Sequence, residues 1–157
     1  MRELKGEPAG TTVEPVVSVN IEGFLPDEYV PEVNQRLGFY KRLAGAASDA
    51  EVAEVRAELE DRFGPLPEAA AQLLDIVRIR AAARAVGAER IEAGEGRALV
   101  TFSPTTSIDP GRLVHAIQKS RGRLQMKREF TMEAAVARGP WPAVRDSLLG
   151  LLRELAA

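Results

Sequence analysis

The apolar positions along the chain fall into two regimes. From Pro31 to Val86 they recur at helical spacing; from Ala88 the period changes to alternating, with helical stretches between the strands and after them. The first segment, Val13 to Ile21, is β-branched and extended, and Pro15 confines it to a sheet edge or a free arm. A helix is predicted over Pro31–Ala44, with Pro31 at the first helical position, Val33, Leu37, Tyr40 and Ala44 on one face, and Gly45 as its stop. A second is predicted over Asp49–Phe63. Ser48 and Glu51 form its capping box, Val52, Val55, Leu59 and Phe63 its buried stripe, and Gly64-Pro65 its end. A third runs from Pro67 to Val86 and stops at Gly87, with Ala70, Leu73, Leu74, Val77, Ala81 and Ala85 inward. Arg78, Arg80 and Arg84 crowd its second half, where the helix dipole favours cations.

The alternating regime predicts strands over Arg90–Ala93 and Arg97–Ser103, joined at Gly94-Glu95-Gly96 into a hairpin with Ala98, Val100 and Phe102 on one face. Asp109 caps a fourth helix reaching Lys119, whose narrow apolar side is Leu113, Val114 and Ile117. Arg123–Lys127 reads as a strand with Leu124 and Met126 inward. A turn or bulge follows near Arg128-Glu129, then a strand holding Phe130 and Met132, although Thr131–Ala137 also suits a helix. A last helix spans Pro142–Leu155, with Val144, Leu148, Leu151 and Leu155 inward. The fold class is α+β: a helical layer followed by a small β-sheet flanked by helices. Residues 1–24 read as an extended lead-in from a preceding domain, and 25–157 as a single domain. Arg2–Lys5 looks helical and is then broken by Gly6, Pro8 and Gly10, which suggests an added Met1 where a longer protein was cut.

Composition narrows the chemistry. There are no cysteines and one histidine, His115, so thiolate sites, disulfides and His-pair metal centres are excluded and no cofactor is expected. The formal net charge of −2 hides an asymmetry: residues 1–75 carry 7 basic and 15 acidic side chains, and residues 76–157 carry 14 and 8. No apolar stretch is long enough to span a bilayer. The absence of cysteine and of an apolar signal core points to the cytoplasm, and a monomer is the default.

No phosphate-loop motif is present, and Gly94-x-Gly96 lacks a third glycine and leads into a strand, so it is turn chemistry. Glu51, Glu54, Glu58 and Asp61 lie along one side of the second helix. That pattern suits a solvated or docking face better than a catalytic pair. His115 sits beside its helix's apolar side. Lys119, Arg121, Arg123, Lys127 and Arg128 fall within an acid-free stretch, without interleaved aromatics. They pair with an acidic protein surface or form a solvated rim, and a nucleic-acid-binding domain using this basic half is the alternative reading. Trp141, between Pro140 and Pro142, reads as an anchor at a core edge or a docking residue.

The run Asp61-Arg62-Phe63-Gly64-Pro65-Leu66-Pro67-Glu68 is distinctive. With Leu25-Pro26-Asp27-Glu28-Tyr29-Val30-Pro31, Phe39-Tyr40-Lys41-Arg42-Leu43-Ala44, Leu73-Leu74-Asp75 and Val86-Gly87-Ala88, it resembles the C-terminal domain of the bacterial transcription-repair coupling factors. Arg2–Glu7 looks like the junction where that family's motor ends. From Met126 to Pro142 the chain departs from the family's usual short hairpin. The resemblance implies a parent that uses ATP to translocate on DNA, dislodges stalled RNA polymerase and recruits UvrA, with the motor outside this domain. It implies a non-enzymatic regulatory domain that folds back on a UvrB-like module, masks its UvrA-binding surface and restrains the motor. A clamp that must open is expected to be polar. The exposed side of the second helix offers Glu58, Asp61 and Arg62 at i, i+3 and i+4, and these three are the expected interdomain contacts.

Overall fold

The structure is a computed structural model that describes residues 14–104 and 109–156. The expected helical turn at Arg2–Lys5 and the proposed junction lie outside these residues. The elements, in order, are β1 (Val16–Ser18), α1 (Val33–Ala44), α2 (Asp49–Phe63), α3 (Glu68–Ala85), β2 (Ala88–Gly94), β3 (Arg97–Phe102), α4 (Pro110–Lys119), β4 (Leu124–Arg128), β5 (Thr131–Ala135) and α5 (Trp141–Ala156). The strands form one sheet in the order β1-β2-β3-β5-β4, antiparallel except for the parallel β1–β2 pair. The α+β class holds, and the extended segment before residue 24 supplies the edge strand of the sheet.

Local chemistry sets the boundaries. The Ser48 side chain accepts from the Glu51 backbone N–H, and the Glu51 carboxylate answers by accepting from Ala47 N–H at 2.8 Å. At the β2–β3 turn, Gly94 pairs with Arg97 around Glu95 and Gly96, both at positive φ, the backbone of a tight hairpin whose twist matches its strands. Asp109 accepts from Gly111 N–H at 2.9 Å and so caps α4.

Two hydrophobic cores result. One gathers Leu25, Val30, Phe39, Leu43, Val52, Val55, Leu59 and the first half of α3. The other gathers the inner sheet face, α4, α5 and the second half of α3. Helix α3 belongs to both, contributing Leu74 and Val77 to one and Ile79 and Ala83 to the other. Its arginines serve neighbouring elements: Arg80 donates to Leu43 C=O and Arg84 to Ala46 C=O, satisfying carbonyls at and beyond the end of α1.

Several inward assignments change. On α1, Phe39 and Leu43 are buried, whereas Val33 and Leu37 are 56% and 59% exposed and Ala44 is exposed. The helix begins two residues later than Pro31, with Glu32 as its cap, and packs through the flank facing α2 and α3. Ala85 is exposed at the end of α3. On α4 the side facing the sheet is Leu113, Ala116 and Ile117, and Val114 faces out. Leu124 is buried but Met126, on the outermost strand, is exposed. Thr131–Ala135 is a strand; the turn expected near Arg128-Glu129 falls at Glu129-Phe130, the register shift lies just before it between Met126 and Arg128, and Phe130 occupies the turn rather than the strand.

Candidate interdomain contact face

The last two turns of α2 lie beside the second half of α1, and an aromatic cluster sets their spacing. The Phe39 and Phe63 rings meet edge to face at 6.1 Å, and Tyr29 tilts against Phe63 at 5.7 Å. The Tyr29 hydroxyl donates to Gly64 C=O at 2.7 Å, a carbonyl beyond the end of α2 that no helical N–H serves, and lies 3.2 Å from Leu59 C=O. Burial, reinforced by Glu60, raises the Tyr29 pKa above the usual phenol value.

On this base stands a charged triad. Glu58 accepts from Arg42 of α1 at 2.6 Å and from Arg62 of its own helix at 2.9 Å. Both guanidiniums also lie over Phe39, at 5.7 and 5.6 Å from its ring centre, and Arg62 is 5.3 Å from that of Phe63. Each arginine is therefore held from two directions, by a carboxylate and by a ring face. The residues enclose a shallow depression of about 200 Å³ lined by Gln35, Gly38, Phe39, Arg42, Glu58 and Arg62. Exposed ion pairs of this kind add little to stability. Their consequence is order: a solvent-facing ridge whose charges keep fixed positions.

The three expected contact residues thus divide. Glu58 and Arg62 are brought together, while Asp61 stands exposed beside them and makes no ion pair among the described residues. The pair gains a third member, Arg42, and an aromatic floor, Phe39. Both sit in the Phe39–Ala44 run, where the 16-residue separation of Arg42 from Glu58 hides the contact from helical periodicity. Glu51 is occupied in its cap. The hydrogen bonds from Arg42, then from Arg62, hold the Glu58 carboxyl below the ordinary glutamate value. The pairing is therefore complete above the ordinary glutamate pKa and is lost as pH falls through the lowered one. A carbon-detected NMR titration should show Glu58 protonating below the ordinary glutamate value and moving part of the way back toward it in Arg42→Ala, where Arg62 still donates. A Glu58 midpoint unchanged by Arg42→Ala would refute the geometry.

The remaining candidates fall elsewhere. His115 is exposed on α4. In the basic run, Arg123 pairs with Glu154 and Lys127 with Glu133, which also binds Arg97. Trp141 anchors a core edge: its Nε1–H donates to the buried Asp75 at 3.0 Å. Among the described residues no helix is long and apolar enough to cross a membrane.

The TRCF domain profile matches residues 19–113, well over half of the chain. The chain belongs to the TRCF domain family. It is similar to the transcription-repair-coupling factor of Escherichia coli, with 38% identity over 69% of this chain and 10% of that protein. It is also similar to that of Myxococcus xanthus, with 30% identity over 98% of this chain and 13% of that protein. It therefore spans about a tenth of the length of these TRCF-containing relatives. Among solved structures, the crystal structure of a C-terminal domain of transcription-repair coupling factor superposes with a TM-score of 0.77, covering 94% of this chain and 95% of that one at 22% identity. The TRCF match includes α1, α2, α3 and the whole ion-paired ridge.

Proposed function

We propose that this domain is the autoinhibitory clamp of a bacterial, cytoplasmic transcription-repair coupling factor. In this reading it folds back on the parent's UvrB-like module, masks the surface that binds UvrA and restrains the ATP-dependent DNA translocase that removes stalled RNA polymerase. RNA polymerase and DNA are met by other parts of the parent. The supporting observation is the Arg42–Glu58–Arg62 ridge on the family-matched helices. A clamp must hold yet release, which favours charged contacts over a large apolar interface. A ridge already ordered by two ion pairs and an aromatic floor loses little side-chain entropy on docking. Asp61, exposed next to it, is left to meet a cation of the partner.

The test is binding of this chain to the isolated UvrB-like module, and UvrA capture by the parent protein. Replacing Glu58, Asp61 and Arg62 together by Ala should weaken the first by about tenfold or more and raise the second, with the melting profile of the domain preserved. Association of the unmodified chain should weaken as salt rises. Because clamp and UvrA compete for one surface, added UvrA should displace the domain. Equal affinity of the parent and triple variants would remove this face from the proposal.

A further inference from the structure

The sheet ends in two edges of different character. The β1 edge is three residues long and follows Pro15, a combination that blocks strand addition. The β4 edge is five residues long and has no proline. The N–H of Ala135 donates to Arg123 C=O at 3.0 Å, and Gln125 lies opposite Glu133. In an antiparallel ladder this alternation turns the backbone groups of Leu124 and Met126 away from β5. The N–H of Leu124 is taken by Ser120 Oγ at 3.0 Å, as that direction requires. Met126 thus offers its N–H and C=O at the free edge, with its side chain 44% exposed.

The hairpin tip next to it is strained in a telling way. Phe130 adopts φ 62°, a left-handed conformation that β-unbranched bulky residues seldom take, and its ring is 38% exposed. Its C=O accepts from Phe102 N–H at 2.7 Å, so the turn is fastened to β3 and the ring is displayed. Around this edge Lys119, Arg121 and Arg128 make no ion pair among the described residues, and no acid occurs from 119 to 128. Basic side chains alone are a common defence of edges. An exposed methionine and a displayed phenylalanine are the opposite of that defence.

We propose that the free edge of β4, with Met126 and Phe130, docks an acidic, extended segment of a partner polypeptide, which adds as a short sixth strand. Main-chain hydrogen bonds to Met126 supply the register, apolar side chains of the segment meet Met126 and Phe130, and its carboxylates meet the three unpaired cations. The irregularity between Met126 and Arg128 ends the free edge, so the docked strand is short. This edge lies beyond the family-matched residues and is independent of the clamp ridge.

The experiment uses the full chain with three probes: a capped seven-residue peptide of alternating glutamate and valine, its lysine-for-glutamate counterpart, and a single-stranded oligonucleotide of matched charge. The acidic peptide should slow amide exchange of Met126 by about tenfold or more at saturation, and its binding should weaken with salt. Phe130→Gly should lower peptide affinity by about tenfold while leaving the thermal midpoint equal or higher, because glycine relieves the positive φ. Equal binding of the lysine peptide would overturn the proposal. So would oligonucleotide binding without acidic-peptide binding, failure of the acidic peptide to bind at low ionic strength, or a Phe130→Gly variant that melts lower yet binds as before.

Discussion

Asp75→Ala should cost the domain about 3 kcal/mol and shift the emission of its only tryptophan. Asp75 is 7% exposed in the middle of α3. One of its oxygens accepts from Trp141 Nε1–H at 3.0 Å and from Arg145 at 3.3 Å, and the other lies 3.7 Å from Arg78. Arg78 in turn reaches Asp49 at the start of α2 at 3.5 Å. Removing the carboxylate leaves the indole N–H without its acceptor and Arg145 and Arg78 each with one carboxylate, Asp146 and Asp49, in place of two. Stranded partners cost more than the lost bonds were worth. Arg145 and Arg78 keep about a quarter of their surface in water, which places the estimate at the lower end for a broken buried pair. Asp75→Asn keeps an acceptor for Trp141 and should lose less than half as much. Urea unfolding followed by fluorescence measures both variants. A loss under about 1 kcal/mol for Asp75→Ala, with unchanged emission, would show that this junction between the two cores is decorative.

Gly23→Ala should destabilise the domain by about 2–3 kcal/mol. A Cβ at this position would stand 2.5 Å from both the Cα and the N of Leu73, and 3.0 Å from the carbonyl carbon of Gln72. These are backbone atoms of α3, so no rotamer change can make room. The chain beside Gly23 would have to lift. That motion breaks the Phe24 N–H bond to Ala69 C=O at 3.1 Å and pulls on Leu25, which is 2% exposed and donates its N–H to the Tyr40 hydroxyl at 2.8 Å. Gly150→Ala is the matched control. It lies in α5 with nothing within 4 Å of a new Cβ, and there alanine should be neutral or stabilising by up to about 1 kcal/mol. Thermal midpoints of the two variants, with amide exchange of Phe24 and Leu25, decide it. Equal midpoints would mean that the contact with α3 yields without cost.

The sequence told more about elements than about faces. The helix α2 was legible to the residue because its cap, stripe and Gly-Pro stop are all local signals. The β2–β3 hairpin was legible because positive φ at Glu95-Gly96 has a sequence signature. The face of α1 was not. Val33 and Leu37 mimic a buried stripe, but the partners that decide burial come from α2 and α3, far along the chain. The same limit applies to β4: Leu124 and Met126 share a side, yet only Leu124 reaches the core, since the strand is outermost. At the candidate site, Glu58 and Arg62 were accessible through helical spacing and the family motif. Arg42 was not, because its bond to Glu58 joins two helices whose packing no local pattern encodes. Asp75 and Trp141 were each noticed separately, and their 66-residue separation concealed the bond.

Helix α3 also couples the two cores in unfolding. Its 18 residues span about 27 Å, with one end in the helical core and the other under the sheet. Neither core can come apart without exposing side chains of a helix on which the other depends. The two cores are in this way one cooperative unit, and the helix that joins them is the last part that either can give up.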